Sequence, residues 1–441
     1  MNKKFISKII FYVVFGAIPF SLFIVWPGKQ LEFESLFGFL FVAGKIAGII
    51  GICFFSGNLI LSGRYHFLDR WFEGLDQLYL FHRKTGVYTF SLLVFHVLAI
   101  ASPNLQFSFA YFYRFIFNLK GFDLNYGRVA FFGMAIIVIL TLTLSGKIKY
   151  ERLKRMHQFM GVFLFFGGLH AFFIPSDISE NIYLRYYILT LVDMALASYV
   201  WRTVLRRWLI PYIICEVVEV NMLNATVTEI VLKPKNTSRV HFYPGQFIFI
   251  KFLQKKFPYE DHPFSLTAST EEGLLRISAK QIGDFTKILP KLKAGAIAKI
   301  QGPYGGFTFV KSKNKKQIWI AGGIGVTPFA SMARTLRDKI KNGELLDYNI
   351  TFIFSVQTAN DFVYKDEFEK IAKENPNFSF IPWVAAENGY LNIDAIKKIT
   401  EINNKEIFIC GPKPMMFSIK KQFINAGIRA SNIHFELFRL L

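Results

Sequence analysis

The sequence predicts a multi-domain chain: a six-helix transmembrane bundle (α), then an antiparallel β-barrel, then an α/β domain of nucleotide-binding type. Three observations predict it. The first half holds six apolar runs of bilayer-crossing length. The middle holds short β-rich runs separated by Gly, Pro and Asn. The final third alternates apolar strands with helical stretches. At roughly 100–200 residues per domain, 441 residues give room for two to four domains. Hydrophobic residues make up 52% of the chain and charged ones 19%, which excludes disorder and argues against a water-soluble protein. The net charge of +21 fits membrane loops rich in Lys and Arg, so the expected partner is a lipid bilayer and not nucleic acid. Cys53, Cys215 and Cys410 are too few and too dispersed for a disulfide scaffold or a thiolate cluster.

The six spans run near Ile9 to Trp26, Leu36 to Leu61, Leu78 to Ala101, Val129 to Ser145, Met156 to Pro175 and Ile182 to Trp201. The first follows an MNKK start, as a signal peptide would. It ends in Val25-Trp26-Pro27-Gly28 without a small-residue cleavage site, so it reads as a helix. Positive charge then orients the bundle. Lys3 and Lys4, Arg64 and Arg70, the run KIKYERLKR from Lys147 to Arg155, and Arg202, Arg206 and Arg207 all fall on one side, which is therefore cytoplasmic. The opposite loops are milder, as in Pro175 to Glu180. Six crossings bring the chain back, so both termini face the cytoplasm and the second half folds there. This describes a multi-pass protein of the cell (inner) membrane.

From about Ile213 the runs CEVVEV, ATVTEIVL, GQFIFIKF and LLRISAK predict the barrel. From Lys315 the strands Ile318 to Ala321, Asn349 to Ser355, Phe378 to Val384 and Glu406 to Cys410 alternate with helices, the pattern of a parallel sheet. The basic run Lys311 to Lys316 reads as a solvated seam between the two.

Four of the eight histidines lie inside predicted spans: His82 and His96 in the third, His157 and His170 in the fifth. Ligating or ionisable side chains are expensive in hydrocarbon, so function is the default reading. The spacings are 14 and 13 residues, which at 1.5 Å per residue separates two levels by about 20 Å. Both helices rise from the cytoplasm, so His82 and His157 share the inner level and His96 and His170 the outer. A pair of imidazoles at one level can grip one haem iron from both faces, and two levels make two stacked haems across the bilayer. Fourteen residues return a helix to within about 40° of register, whereas thirteen leave about 220°. The fifth helix must therefore bend or rewind, and Gly161, Gly167 and Gly168 could permit it. Lys45, nearer the outer face, has two open readings: a partner for a haem propionate, or a snorkelling side chain. His66 reads as a surface residue, and Asp193 is assigned no role.

In the cytoplasmic half, Gly322-Gly323-Ile324-Gly325-Val326-Thr327-Pro328 follows an apolar strand, where glycines let the backbone approach a pyrophosphate at a helix N-terminus. The spacing is not GxGxxG. Its companions stand in a set order: His262-Pro263-Phe264-Ser265-Leu266-Thr267, Gly283-Asp284-Phe285-Thr286, Gly302-Pro303-Tyr304-Gly305 and Cys410-Gly411-Pro412. Together with the paired histidines, this ordered set resembles the ferric reductase and NADPH oxidase superfamily, in particular its bacterial members, over nearly the whole chain. The lead into the third span, GRYHFLDRWFEGLDQLYLFHR, is also similar.

The resemblance implies a bis-haem transmembrane domain over 1–205, an FAD-binding β-barrel over 213–312 and an NAD(P)-binding α/β domain over 313–441. His262, Pro263, Phe264, Ser265 and Thr267 resemble the flavin-binding strand, although soluble relatives carry Arg where His262 stands, which weakens the charge complement. Gly283, Asp284, Phe285 and Thr286 resemble the turn that holds the FAD pyrophosphate. Gly322, Gly323, Gly325, Thr327 and Pro328 resemble the nicotinamide-nucleotide loop, and Cys410, Gly411 and Pro412 the residues that place nicotinamide beside flavin. Glu436-Leu437-Phe438 resembles the ending whose ring covers the flavin, Phe438 here being followed by three more residues. The implied activity is electron transfer from cytosolic NADPH or NADH through FAD and two b-type haems to an outside acceptor.

That acceptor is a small molecule, O2 or a ferric complex. The expected outer loops contain no His, no Cys and few carboxylates, which favours O2 and superoxide formation over an iron site. No D-x-D-x-D-G loop is present, so calcium control of the EF-hand kind is not expected, and without a long regulatory extension activity is expected to need no cytosolic activator. Ser355-Val356-Gln357-Thr358 lacks the Arg that holds a 2′-phosphate in relatives, which leans toward NADH or dual use. The alternatives are a ferric-chelate reductase and, from another class, a transporter with a nucleotide-sensing domain. A red, low-spin b-type protein would exclude the transporter.

Overall fold

The computed structural model describes residues 3–25, 35–63, 65–72, 74–118, 122–144, 150–205, 212–237, 239–312, 314–344 and 347–436. Arg64, Lys147, Lys149, Arg206, Arg207 and Phe438, which the sequence singles out, lie outside the described residues. The chain divides into two units, Met1–Phe72 with Gln77–Ile210, and Glu73–Asp76 with Pro211–Leu441.

Among the described residues, the first unit holds six helical spans long and apolar enough to cross a membrane: Lys4–Ile24, Leu36–Leu61, Gln77–Gln106, Asp123–Leu144, Arg152–Phe173 and Ile182–Leu205. Each matches an expected run, with shifted ends. The first span is α1 (Lys3–Tyr12) and α2 (Ile18–Ile24), joined by a π turn over Val13–Ala17. Pro19 has no N–H to continue the ladder, and the turn ahead of it widens. Helix α3 (Leu36–Leu61) is capped by the Ser35 hydroxyl, which accepts from the Gly38 N–H at 3.0 Å. A short α4 (His66–Phe72) precedes the long α5 (Leu75–Ala101). Helix α6 (Phe109–Phe117) was not legible as an element of its own: it is too short to cross, and its Phe109 and Tyr113 are exposed. Helix α7 (Phe122–Leu144) then packs along the fifth span.

The fifth span is broken into α8 (Tyr150–His157) and α9 (Met160–Phe173). The rewinding that thirteen residues demand is therefore present, but it falls directly after His157 and not at the glycines. There the Phe159 N–H donates to Met156 O at 3.0 Å and the Val162 N–H to Phe159 O at 2.9 Å, bonds of the tight three-residue kind. Such a turn rotates the chain by about 120° per residue. The glycines serve packing: a Cβ on Gly161 would lie 2.5 Å from the Tyr199 ring, and one on Gly168 2.9 Å from Val192. Both contacts are to α11 (Ile182–Val200), which follows the single turn α10 (Asp177–Glu180). Ile49, Cys53, Met134, Leu164, Ile188 and Ala195 fill the bundle core. Outward, Ile136, Ile139, Leu142 and Met194 are exposed, the surface a bilayer covers.

The second unit holds two sheets. Strands β1 (Ile213–Asn224), β2 (Val227–Pro234), β3 (Phe247–Leu253), β4 (His262–Ser265), β5 (Leu275–Lys280) and β6 (Ile297–Tyr304) form an antiparallel sheet in the order β4-β3-β6-β1-β2-β5. A bridge between Leu266 and Ile277 links its two edges, giving a barrel around Val217, Ile230, Ile250 and Ile300. Helix α12 (Asp284–Ile288) lies between β5 and β6 in the chain. Strands β7 (Lys316–Gly322), β8 (Asn349–Val356), β9 (Phe378–Val384), β10 (Glu406–Cys410) and β11 (Ile433–Glu436) form a parallel sheet in the order β11-β10-β7-β8-β9. Along β7, Trp319 and Ala321 join one core while Ile318 and Ile320 join another. Alternation thus buries both faces, as helices on either side of a parallel sheet require. Two of those helices matter below, α13 (Thr327–Lys341) and α14 (Lys365–Glu374).

Candidate functional site

Within the first unit the structure brings His82 and His157 together. Their ring centres are 6.3 Å apart and their planes cross at 78°. His96 and His170 lie within electrostatic reach of each other. Three of the four rings are anchored through Nδ1 to a main-chain carbonyl: His82 to Asn58 O at 3.1 Å, His96 to Gly44 O at 2.8 Å and His170 to Asp123 O at 2.8 Å. A carbonyl only accepts, so each Nδ1 carries the proton and each Nε2 keeps its lone pair for a ligand. The buried Nδ1 of His157 has no hydrogen-bond partner among the described residues.

Glycines make this possible on the outer pair. A Cβ on Gly48 would lie 2.5 Å from His96 Nδ1, and one on Gly127 would lie 3.0 Å from the His170 ring. On the inner pair, Asn58 is tied down: its Nδ2 donates to Thr89 Oγ1 at 3.0 Å and its Oδ1 accepts from Thr85 Oγ1 at 2.7 Å. Gly86, one turn beyond His82, faces open space.

The residues present fit a haem gripped from both faces. Two imidazole–metal bonds of about 2.0–2.1 Å, plus about an ångström from each nitrogen to its ring centre, put the centres of an axial pair about 6 Å apart. Among the described residues no group of three or more His, Cys, Asp or Glu is placed to hold a metal ion. The histidines stand as pairs, which is what an iron already carried by a macrocycle needs. The Lys45 Nζ pairs with Asp177 at 2.9 Å.

Within the second unit the motifs converge in two places. His262, Pro263, Phe264 and Ser265 are the whole of β4, paired with β3 from Ile250 to Phe247. The His262 ring stacks on Phe285 at 3.7 Å and 23°, and Phe264 lies 6.2 Å from the same ring, so HPFS and GDFT meet. The Thr286 hydroxyl accepts the N–H groups of Ile282 and Gly283, both at 3.0 Å, and so shapes the turn before Asp284. The Thr267 hydroxyl is buried and has no partner among the described residues, as a group awaiting a ligand would be.

The second convergence lies at the carboxyl ends of β7 and β10, where open α/β sheets bind ligands. Gly323 to Val326 form a tight turn that feeds into α13 at Thr327 and Pro328. A Cβ on Gly325 would lie 2.4 Å from Cys410 O, and one on Gly411 3.0 Å from Gly322 Cα, so GGIG and CGP touch backbone to backbone. Gly322 is closed in by Pro412 and Met415. Cys410 is paired with Glu436 across β10 and β11, and Gly305 of the GPYG turn lies beside Glu436.

Sequence reasoning missed a buried polar cluster linking the barrel to the α/β domain. Arg334 Nε and Nη2 donate to the two oxygens of Glu367 at 2.9 and 2.7 Å, and its Nη1 donates to Thr267 O at 2.8 Å. The Tyr364 ring lies 4.7 Å from the guanidinium, and its hydroxyl donates to Glu229 Oε1 at 2.8 Å. Burial, and then Glu229 beside it, push the Tyr364 hydroxyl well above its ordinary pKa. Burial works against ionisation of Glu367, but hydrogen bonds from Arg334 and Arg337 outweigh it and hold the carboxyl below its usual range. The available signal was an Arg within the otherwise uncharged stretch TPFASMARTL.

Three family models match the chain: ferric reductase like transmembrane component over 47–168, FAD-binding domain over 213–322 and oxidoreductase NAD-binding domain over 319–421. The chain has the ferric reductase/NADPH oxidase-like architecture. The chain is also 26% identical over 229 residues to a flavohemoprotein of Oceanobacillus iheyensis, covering 48% of this chain and 55% of that one. It is 30% identical over 174 residues to NADH-cytochrome b5 reductase 1 of Aspergillus terreus, covering 37% and 59%. The chain thus spans about half the length of the curated relatives it matches. Among solved structures, a flavohemoglobin from Malassezia yamatoensis aligns with a TM-score of 0.50 at 18% identity, over 91% of this chain and 96% of that one, a likeness of fold alone.

Proposed function

We propose that the chain transfers electrons from cytosolic NADH or NADPH across a cell (inner) membrane to an acceptor on the outer side, O2 first, with both termini cytoplasmic. The observation that carries this reading is the 6.3 Å pair of His82 and His157. In this reading 1–205 is the bis-haem domain, 213–312 the FAD barrel and 313–441 the NAD(P) domain. His82 and His157 would hold the inner haem, and His96 and His170 the outer. When bound, FAD takes electrons as a hydride and releases them singly, and each haem passes one at a time. The chain's own part is orientation. Asn58, Gly44 and Asp123 carbonyls fix three imidazoles with Nε2 presented. With an imidazole from each histidine of a pair on the iron, His82 with His157 and His96 with His170 would leave the acceptor no place on the metal, so its reduction would be outer-sphere. His262 to Ser265 and Thr267 would face the flavin, and Gly283 to Thr286 its pyrophosphate. Gly322, Gly323, Gly325, Thr327 and Pro328 would receive the nicotinamide nucleotide, with Cys410, Gly411 and Pro412 placing its ring.

A second acceptor reading has its own observation. A cleft of about 330 Å³ beside the start of α7 is lined by Arg114, Arg128, Asn104, Asn118 and Tyr111, which favours an anionic ferric chelate. The deciding experiment compares NADH and NADPH oxidation with O2, with ferric citrate and with no acceptor. Cytochrome c reduction that superoxide dismutase fails to suppress would remove the oxidase. The haem assignment is tested by pyridine haemochrome: two haems per chain in the parent, and one fewer in each of His82→Ala, His96→Ala, His157→Ala and His170→Ala. Four variants with an unchanged count would remove it.

A further inference from the structure

We propose that one face of α13 sets the distance between the flavin strand and the nicotinamide-nucleotide loop, with Arg334 as its positioning residue. The proposal rests on the reading of HPFSLT and GGIGVTP given above. Three side chains on α13, at spacings that share a helix face, bind the main chain of the segment that follows β4. The Ser331 hydroxyl donates to Ala268 O at 2.7 Å, Arg334 Nη1 donates to Thr267 O at 2.8 Å, and the Thr335 hydroxyl accepts the Thr270 N–H at 3.0 Å. All three side chains are buried. None belongs to a motif of either convergence.

The same helix begins at Thr327, directly after the Gly323 to Val326 turn. Arg334 stands seven residues on, about 10 Å along a stiff rod. The rod therefore carries the nucleotide loop at one end and grips the end of the flavin segment further down. Arg334 itself is held in one plane. Its fork meets both oxygens of Glu367, and Tyr364 lies against the guanidinium. A bidentate fork fixes direction, which a Lys at the same place would not. A buried ion pair adds little stability beyond an apolar pair of equal volume. What this one adds is a defined position for Nη1, and through it for Thr267. Hydride transfer needs that definition, because a misplacement of about 1 Å can cost about 100-fold in rate.

The test uses full-length, FAD-saturated protein. In Arg334→Met, flavin bleaching by NAD(P)H in stopped flow should slow by about 10- to 100-fold. FAD affinity and the KM for nucleotide should stay within about threefold, and amide exchange at 267–270 should speed up. Arg334→Lys should recover part of the rate, and Glu367→Gln should copy the defect in weaker form. Parent-like bleaching in Arg334→Met, or a loss only in proportion to lost FAD, overturns the proposal. If Arg334→Met does not fold, Thr335→Val removes a single acceptor and reports the same quantities. Faster exchange there with an unchanged rate overturns it equally. A parent protein that binds no FAD refutes the assignment of HPFSLT instead, and the two failures are distinguishable.

Discussion

Gly325→Ala is the sharpest local perturbation the fold offers. An added methyl at Gly325 would lie 2.4 Å from Cys410 O and 2.6 Å from both Cys410 C and Gly411 Cα. All three are main-chain atoms, so no side chain can rotate away. Ordinary contact at 3.4 Å requires the GGIG turn and the end of β10 to part by about 1 Å. The two strands are locked in parallel register, Cys410 opposite Ala321, so the separation distorts that ladder. Overpacking of this kind costs about 1–3 kcal/mol of stability. A shift of about 1 Å at the reacting groups costs about 100-fold in rate. The assay is flavin reduction by NAD(P)H beside a melting curve. Gly427→Ala is the control, because Gly427 has φ +90° with open space around it. It should lower stability by about 1–2 kcal/mol through backbone strain and leave the rate alone. A Gly325→Ala protein that reduces flavin at the parent rate, or a control that loses as much, would refute the reasoning.

Three further outcomes are expected. In the bis-haem reading, Gly48→Ala should drive the His96 ring off Gly44 O and shift the spectrum of the outer haem while that of the inner one holds; Gly127→Ala should do the same to His170 more mildly, since its contact is 3.0 Å and not 2.5 Å. Glu367 is held below its ordinary carboxyl pKa, so its contribution to stability is complete above about pH 4.5 and is lost as pH falls through the depressed value. Melting temperature should therefore be level down to about pH 5 and drop below about pH 4, and Glu367→Gln should flatten that drop. Lys45→Met breaks a partly buried pair with Asp177, which should lower the melting temperature, and in the bis-haem reading the haem count should stay at two.

Much of the architecture was legible because it is written in periodicity. Bilayer-length apolar runs matched all six spans, and the runs at Asn349, Phe378 and Glu406 begin where β8, β9 and β10 begin. Strand β11 and helix α6 escaped notice because each is short and overlaps signals of another kind. The histidine spacing announced two levels, and even the misfit of thirteen residues was visible in advance. Where the fifth span would yield was not, because the glycines are spent on contacts to Tyr199 and Val192, and that choice belongs to α11.

The sequence by itself determined the order of modules, the four imidazoles and the glycine-rich turns, since each follows from local spacing and residue chemistry. Only the tertiary structure decided what holds them. The carbonyls behind His82, His96 and His170 come from 24, 52 and 47 residues away, and Arg334 reaches Thr267 across 67. A main-chain carbonyl leaves no mark in residue type, and which one faces a given ring is fixed by how whole helices pack.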